Sequence, residues 1–342
     1  MTLTLGELCA GVGALGMALS EVIGCEPVWH AQFEPKTKQQ YAAQILAHHH
    51  PGVPNHGDIT TLDYAGVQSV DIIAAGFPCQ DISLAGRRVG LMPGTRSGVW
   101  SHVARAIGEL RPSLVFIENV RSLTSVRAHS DVEHCPWCMG DGRDAVALRA
   151  LGAVLGDLAD LGFDAEWTCV RASDVGAPHQ RARIFVLAWP SAADPAHDGR
   201  ERQRRARRGG ADLRTRISAL VRDADGATGD QRRLPAPGQT PGGWARADAG
   251  GPGGIPPRWR EFEAAVRRWE LILGRAAPEP VDGGGRLSTV FVEWMMGLPE
   301  GWVTGVAGVP RNAQFAALGN AVVPMQAAYA LRVLLARYAS TV

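Results

Sequence analysis

The run Val70-Asp-Ile-Ile-Ala-Ala75 is followed at once by Gly76-Phe-Pro-Cys-Gln-Asp-Ile-Ser83. A short apolar stretch broken by Gly and Pro reads as a buried strand that ends in a loop. Cys79 therefore stands where a strand hands over to a loop, a suitable place to present a nucleophile. A second such run, Ser113-Leu-Val-Phe-Ile117, ends in Glu118-Asn119-Val120. A thiol at one strand end and a carboxyl at another suit attack on an electron-poor ring that must also be protonated.

Outward from these two runs, residues 1–190 alternate strand-like and helix-like segments, as a doubly wound, mostly parallel α/β domain does. Strands are expected at Thr2–Cys9, Pro27–Phe33, Val70–Ala75, Ser113–Glu118, Ala165–Arg171 and Arg183–Ala188. Helices are expected at 14–23, 35–48, 98–110 and 144–161, and in the C-terminal part at 258–274, 287–297 and 323–338. Composition changes at Trp189-Pro190. From there to about Pro257 the chain is rich in Gly, Pro, Arg and Asp, with arginines crowded between Arg200 and Arg216. That composition fits a DNA-facing lobe or a partly disordered insertion equally well. The expected division is a catalytic domain at 1–190, a smaller recognition lobe at 191–285, and a return to the catalytic domain at 286–342.

The net charge is +1, so the total says little, while the clustering of arginines suits a polyanion. No secretory leader and no membrane-spanning run of about 18 apolar residues is apparent, so a cytoplasmic protein is expected. Six cysteines in a chain read as cytoplasmic suggest thiols or metal ligands rather than disulfides. Cys135-Pro-Trp-Cys138 has zinc-ligand spacing, but only His129 and His134 lie near enough in sequence to complete a site, so no metal is expected.

Gly11-Val-Gly-Ala-Leu-Gly16 follows the first strand and opens a helix, the pattern of a backbone loop that lets a ligand approach a helix start. Glu34, at the end of the second strand, is placed to accept bonds from a ribose diol. Taken alone, the glycine loop and Glu34 would also fit an NAD-linked oxidoreductase.

Taken together, Gly-Phe-Pro-Cys79-Gln, Glu118-Asn-Val, and Gly176-Ala-Pro-His-Gln-Arg-Ala-Arg183 resemble signature blocks of the DNA cytosine-5 methyltransferases. So do Phe291 to Trp302 and Gln314 to Pro324. The resemblance implies a Rossmann-like methyltransferase fold with a second, smaller target-recognition lobe. It implies S-adenosylmethionine as methyl donor, held by Cys9, Gly11, Gly13, Glu34, Asp58, Ile59, Pro78, Asn320 and Ala321. It implies Cys79 as the thiolate that adds to cytosine C6, Glu118 at N3, and Arg181 and Arg183 as the two arginines of the next block. Gln80, Ser83, Arg87, Arg88 and Arg96 would meet double-stranded DNA. A monomer is expected, with a cognate restriction endonuclease as a companion. Cys9 stands where the family has an aromatic residue, Ala14 where it has glycine, and His179 where it has glutamine. Methylation of tRNA, or DNA binding without catalysis, stays open on these residues alone.

Overall fold

The computed structural model describes residues 2–35, 37–77, 98–120, 150–191 and 262–341. Six strands, β1 (Leu3–Leu8), β2 (Cys25–Ala31), β3 (Ile72–Gly76), β4 (Leu114–Val120), β5 (Phe163–Arg171) and β6 (Ala182–Pro190), form one sheet. Their order is β2-β1-β3-β4-β6-β5. The first four are parallel, and β6 runs antiparallel to both β4 and β5. The expected doubly wound, mostly parallel sheet is the one observed. Its strand order reverses between β1 and β3, where such sheets open a crevice at the strand C-termini.

The central strands β3 and β4 are apolar on both faces because both faces are covered. Ile72, Ala74, Leu114 and Phe116 face one buried cluster. Their neighbours Ile73, Ala75, Val115 and Ile117 face the other. Helix α1 (Ala14–Ile23) matches its expected span and stops at Gly24, whose φ of 65° is left-handed. Helix α2 (Tyr41–His49) begins later than expected. The Gln40 side chain takes the Glu34 N–H at 2.6 Å and donates to the Glu34 carbonyl at 3.0 Å, and Glu34 Oε2 accepts the Ala42 N–H at 3.0 Å. These side chains satisfy the backbone around Glu34 without a helix and cap the helix that starts at Tyr41.

Helices α3 (Val99–Leu110) and α4 (Ala150–Asp160) cover the second cluster. The expected start of α4 at 144 lies outside the described residues. Helix α5 (Glu263–Leu273) ends at the expected Gly274, in the left-handed region at φ 66°. Its Val266 and Trp269 join the cluster that also contains α1 and the chain end. Helix α6 (Thr289–Met295) is capped by Ser288, whose Oγ accepts the Phe291 N–H at 3.3 Å. Helix α7 (Arg311–Asn320) was not expected. Only its Leu318 is fully buried, so the sequence carries no apolar stripe to announce it. Helix α8 (Pro324–Thr341) begins on a proline, which suits the first helical turn. Residues 311–340 include an 18-residue window of mean hydropathy 1.2, apolar enough by length and composition to cross a membrane, which the sequence reading had not picked out. Two thirds of that window is buried inside this protein.

The turn after α6 is organised by one buried carboxylate. Glu293 is 1% exposed. Its Oε1 accepts the Val303 and Thr304 N–H groups at 2.5 and 3.0 Å, and its Oε2 accepts the Gly301 N–H at 2.9 Å and the Thr304 hydroxyl at 2.8 Å. Glu293→Ala strands three backbone donors without their acceptor. A stability loss of about 3 kcal/mol or more is expected in urea denaturation. A loss below about 1 kcal/mol would show that other groups hold this loop.

Candidate active site

The loop after β1 is built on positive φ angles: Cys9 at 52°, Gly11 at 58° and Gly13 at 79°. Cys9 adopts this unusual conformation while its N–H bonds the Ala31 carbonyl at 2.8 Å. The loop is pinned from two sides by side chains. Gln32 Oε1 accepts the Gly11 N–H at 2.8 Å, and Glu7 Oε1 accepts the Gly16 N–H at 3.0 Å. Glu7 and His30 are buried together, with Oε2 and Nδ1 2.9 Å apart. A Cβ on Gly16 would lie 2.5 Å from Glu7 Oε1, so only glycine fits there. A Cβ on Gly11 would meet nothing within 4 Å.

That open space belongs to a cleft with about 380 Å³ of empty volume at the C-terminal edge of the sheet. Its walls are Glu7–Val12, Ala14 and Leu15, then Ala74 and Gly76 of β3, Glu118 of β4, and Asn320, Ala321 and Val322 after α7. The glycine loop, the carboxyl at the end of β4 and the chain around Asn320 therefore share one cavity, although they lie more than 300 residues apart in sequence.

Glu118 and Arg183 are diagonal neighbours on antiparallel strands, since Glu118 pairs with Phe185 and Val120 with Arg183. Arg183 Nε lies 2.8 Å from Glu118 Oε1, with both side chains mostly buried. Burial pushes the Glu118 carboxyl above its ordinary range, while Arg183 and then Arg181 pull it down. Arg181 donates from Nη2 to the carbonyls of Gly319 and Ala321 at 2.7 and 2.8 Å. It thereby ties the C-terminus of α7 to the start of β6, a favourable end of a helix for a cation. Burial, then Arg183, lowers Arg181 to about 10, with Glu118 opposing, so it stays a cation at neutral pH. Asn119 is buried and donates from Nδ2 to the Phe77 carbonyl at 2.9 Å. It fixes the last described residue before Cys79 against β4.

The structure thus brings Cys9, Gly11, Glu118, Asn320 and Ala321 to one cleft, with Arg183 and Arg181 behind Glu118. Gly13, Glu34, Asp58 and Ile59 are not among the lining residues. Gly13 starts α1, and Glu34 bonds the first turn of α2. Asp58 Oδ1 accepts the Thr60 N–H, and Ile59 is buried. Pro78, Cys79, Gln80, Ser83, Arg87, Arg88, Arg96, Cys135 and Cys138 lie outside the described residues. Among the described residues, no group of three or more His, Cys, Asp or Glu side chains could hold a metal.

Two supporting residues escaped the sequence reading. Gln32 holds the glycine loop, and Gln326, fully buried on α8, donates to the carbonyls of Val170 and Arg181 at 2.7 and 2.9 Å. Neither belongs to a spacing pattern that would single it out. His179 donates from Nε2 to the Met295 carbonyl at 3.1 Å, so Nε2 carries the proton. Burial chiefly lowers its pKa.

A model of the C-5 cytosine-specific DNA methylase family matches residues 3–225. The Type II methyltransferase M.NgoBV of Neisseria gonorrhoeae is 31% identical over 166 residues, 48% of this chain and 34% of the relative. The Type II methyltransferase M.HhaI of Haemophilus parahaemolyticus is 27% identical over 183 residues, 54% of this chain and 48% of the relative. The matched stretch spans between a third and a half of these relatives' own length. In fold, the chain is similar to the crystal structure of S. pombe Dnmt2 methyltransferase, with a TM-score of 0.57 at 15% identity, covering 98% of this chain and 99% of that one.

The Glu118–Arg183 pair makes a pH-dependent prediction. In Arg183→Gln the buried carboxyl loses its nearest cation and its folded pKa rises further. Stability tied to such a raised group is fully present below the ordinary carboxylate range and is lost as pH rises through the folded value. The deficit of Arg183→Gln relative to wild type should therefore grow between pH 4 and pH 8, reaching about 3 kcal/mol by urea denaturation. A deficit independent of pH would show that Glu118 does not feel Arg183.

Proposed function

Because this chain belongs to the C-5 cytosine-specific DNA methylase family, we propose that it is an S-adenosylmethionine-dependent methyltransferase acting on C5 of cytosine in double-stranded DNA. The observation that carries the reading is the shared cleft. Glu118 opens into the same cavity as the glycine loop, and Asn119 anchors the backbone that leads directly to Cys79.

The residues present fit the cofactor. Gly11 leaves room where a Cβ would otherwise project, and Cys9, Asn320 and Ala321 complete the walls of the cleft. Gly13, Glu34, Asp58, Ile59 and Pro78 complete the proposed binding set, by their match to the family blocks. S-adenosylmethionine bound there supplies an electrophilic methyl group.

The chain's own residues activate the acceptor. Cytosine C5 is too weak a nucleophile by itself, so Cys79 adds as a thiolate to C6 while Glu118 presents its proton to N3, which makes the ring an enamine. Arg181 and Arg183 keep a positive field beside the carboxyl and the thiolate. After alkylation, loss of the C5 proton and departure of Cys79 restore aromaticity. The base must leave the duplex to reach these groups. We assign residues 191–285 to target recognition, and Gln80, Ser83, Arg87, Arg88 and Arg96 to contacts with DNA around the flipped base. On this reading the enzyme acts as a cytoplasmic monomer on nucleoid DNA, alongside a cognate restriction endonuclease, and Cys135 and Cys138 hold no metal.

Incubation of the purified chain with duplex DNA and S-adenosylmethionine, followed by bisulfite sequencing, should reveal 5-methylcytosine at a recurring sequence. Cys79→Ser should reduce turnover by at least about 1,000-fold, because a serine hydroxyl is a far weaker nucleophile toward C6. Duplex DNA carrying 5-fluorocytosine should trap the protein covalently through Cys79, in a band stable to denaturant. An adduct at another cysteine, or normal turnover by Cys79→Ser, would overturn the mechanism.

A further inference from the structure

The glycine loop is held on a third side, from the far end of the chain. Trp302 Nε1 donates to the Val12 carbonyl at 2.8 Å, and Val12 lines the cleft. The indole is itself immobilised. It stacks on the His49 ring, with centroids 3.5 Å apart and planes 5° from parallel, and His49 Nε2 donates to the Trp302 carbonyl at 2.7 Å. The backbone around it is fixed by the four bonds that Glu293 accepts from residues 301–304. Gln44 of α2 adds a bond to the Ala307 carbonyl at 3.1 Å.

These contacts hold the Trp302 indole against Val12. The bonds to Gly11 and Gly16 fix the two ends of the loop through their N–H groups, and neither restrains the Val12 peptide between them. The Gly13 N–H, which shares a peptide unit with the Val12 carbonyl, bonds the Ala10 carbonyl at 2.9 Å and holds one end of that unit. Trp302 takes the carbonyl at the other end of the unit, the one long-range bond of the two.

We propose that Trp302 is a positioning residue for the cofactor, acting through the Val12 carbonyl, and that His49 and Glu293 seat it for that task. The inference rests on reading the cleft as the S-adenosylmethionine site. It makes the segment after α6 part of the cofactor-binding apparatus although Trp302 itself is not among the residues lining the cleft. It also gives α6 and the glycine loop a direct mechanical link, so that strain on one is felt by the other.

Trp302→Phe keeps an aromatic ring against His49 and removes the N–H. Calorimetric titration with S-adenosylhomocysteine should show binding weakened by about 3- to 10-fold, the size of one net hydrogen bond. The KM for S-adenosylmethionine should rise in step, while kcat at saturating cofactor stays within about twofold, as expected for an interaction made equally in ground and transition states. The melting temperature of the cofactor-free protein should change little. Replacement of Trp302 by its benzothiophene isostere, which keeps both rings and lacks only the N–H, should reproduce the affinity loss even if the smaller phenyl ring unsettles the fold. Unchanged affinity in the isostere, or a fall in kcat with constant KM, would overturn the positioning role. A wild-type protein that binds no S-adenosylhomocysteine would overturn the reading of the cleft itself.

Discussion

The site depends on one antiparallel strand. Had the strand beside β4 run parallel to it, the arginines at its N-terminal end would lie at the opposite edge of the sheet from Glu118. Because β6 enters from the C-terminal edge and runs against β4, Arg183 starts beside Val120 and reaches diagonally to Glu118 at 2.8 Å. Arg181, two residues earlier, lies where α7 ends and donates to the carbonyls of Gly319 and Ala321. The reversal of β6 therefore does two things: it neutralises a buried carboxylate, and it draws the C-terminal part of the chain onto the cleft. Gln326 reinforces the second by binding the carbonyls of Val170 and Arg181 from α8.

The parallel half of the sheet supplies the opposite wall. The strand order switches between β1 and β3, so the loops leaving these neighbours diverge and a crevice opens between them. A loop with positive φ at Cys9, Gly11 and Gly13 is soft unless it is tied. Here Gln32, Glu7 and Trp302 tie it through the Gly11 N–H, the Gly16 N–H and the Val12 carbonyl. The groups that tie the loop come from the end of β2, from β1 itself and from the turn after α6, so tertiary contacts hold a shape that its own glycines permit.

That distinction explains what could be read in the sequence. The strands announced themselves because buried parallel strands are short apolar runs, and α1 and α5 because a stripe and a terminal glycine mark them. Glu118 and the glycine loop were legible because they end such runs. Helix α7 was not, since only Leu318 of its residues is deeply buried. The early start expected for α2 failed because the side chains of Glu34 and Gln40 compete with the helix for backbone groups, a contest invisible to periodicity. Arg183 was read as one of the two arginines of a signature block, and its observed partner is Glu118. Gln32, Gln326 and the Trp302–Val12 bond join residues 21, 156 and 290 positions apart, which no local pattern encodes.

The electrostatics of Glu118 bear on what the cleft can do. Burial favours the neutral acid, and the guanidinium of Arg183 favours the carboxylate, with Arg181 adding to it from farther away. Burial is the largest of these influences, so the acid form is held more tightly than in water. The direct bond from Arg183 keeps the carboxylate accessible as the conjugate form. A reaction in which one carboxyl must lend a proton to a ring nitrogen and take it back when the ring is released draws on both influences. An isolated buried glutamate would hold its proton too firmly, and one exposed beside two arginines would never carry it at neutral pH. The placement of Arg183 by strand β6 thus connects the topology of the sheet to the proton inventory of the proposed reaction.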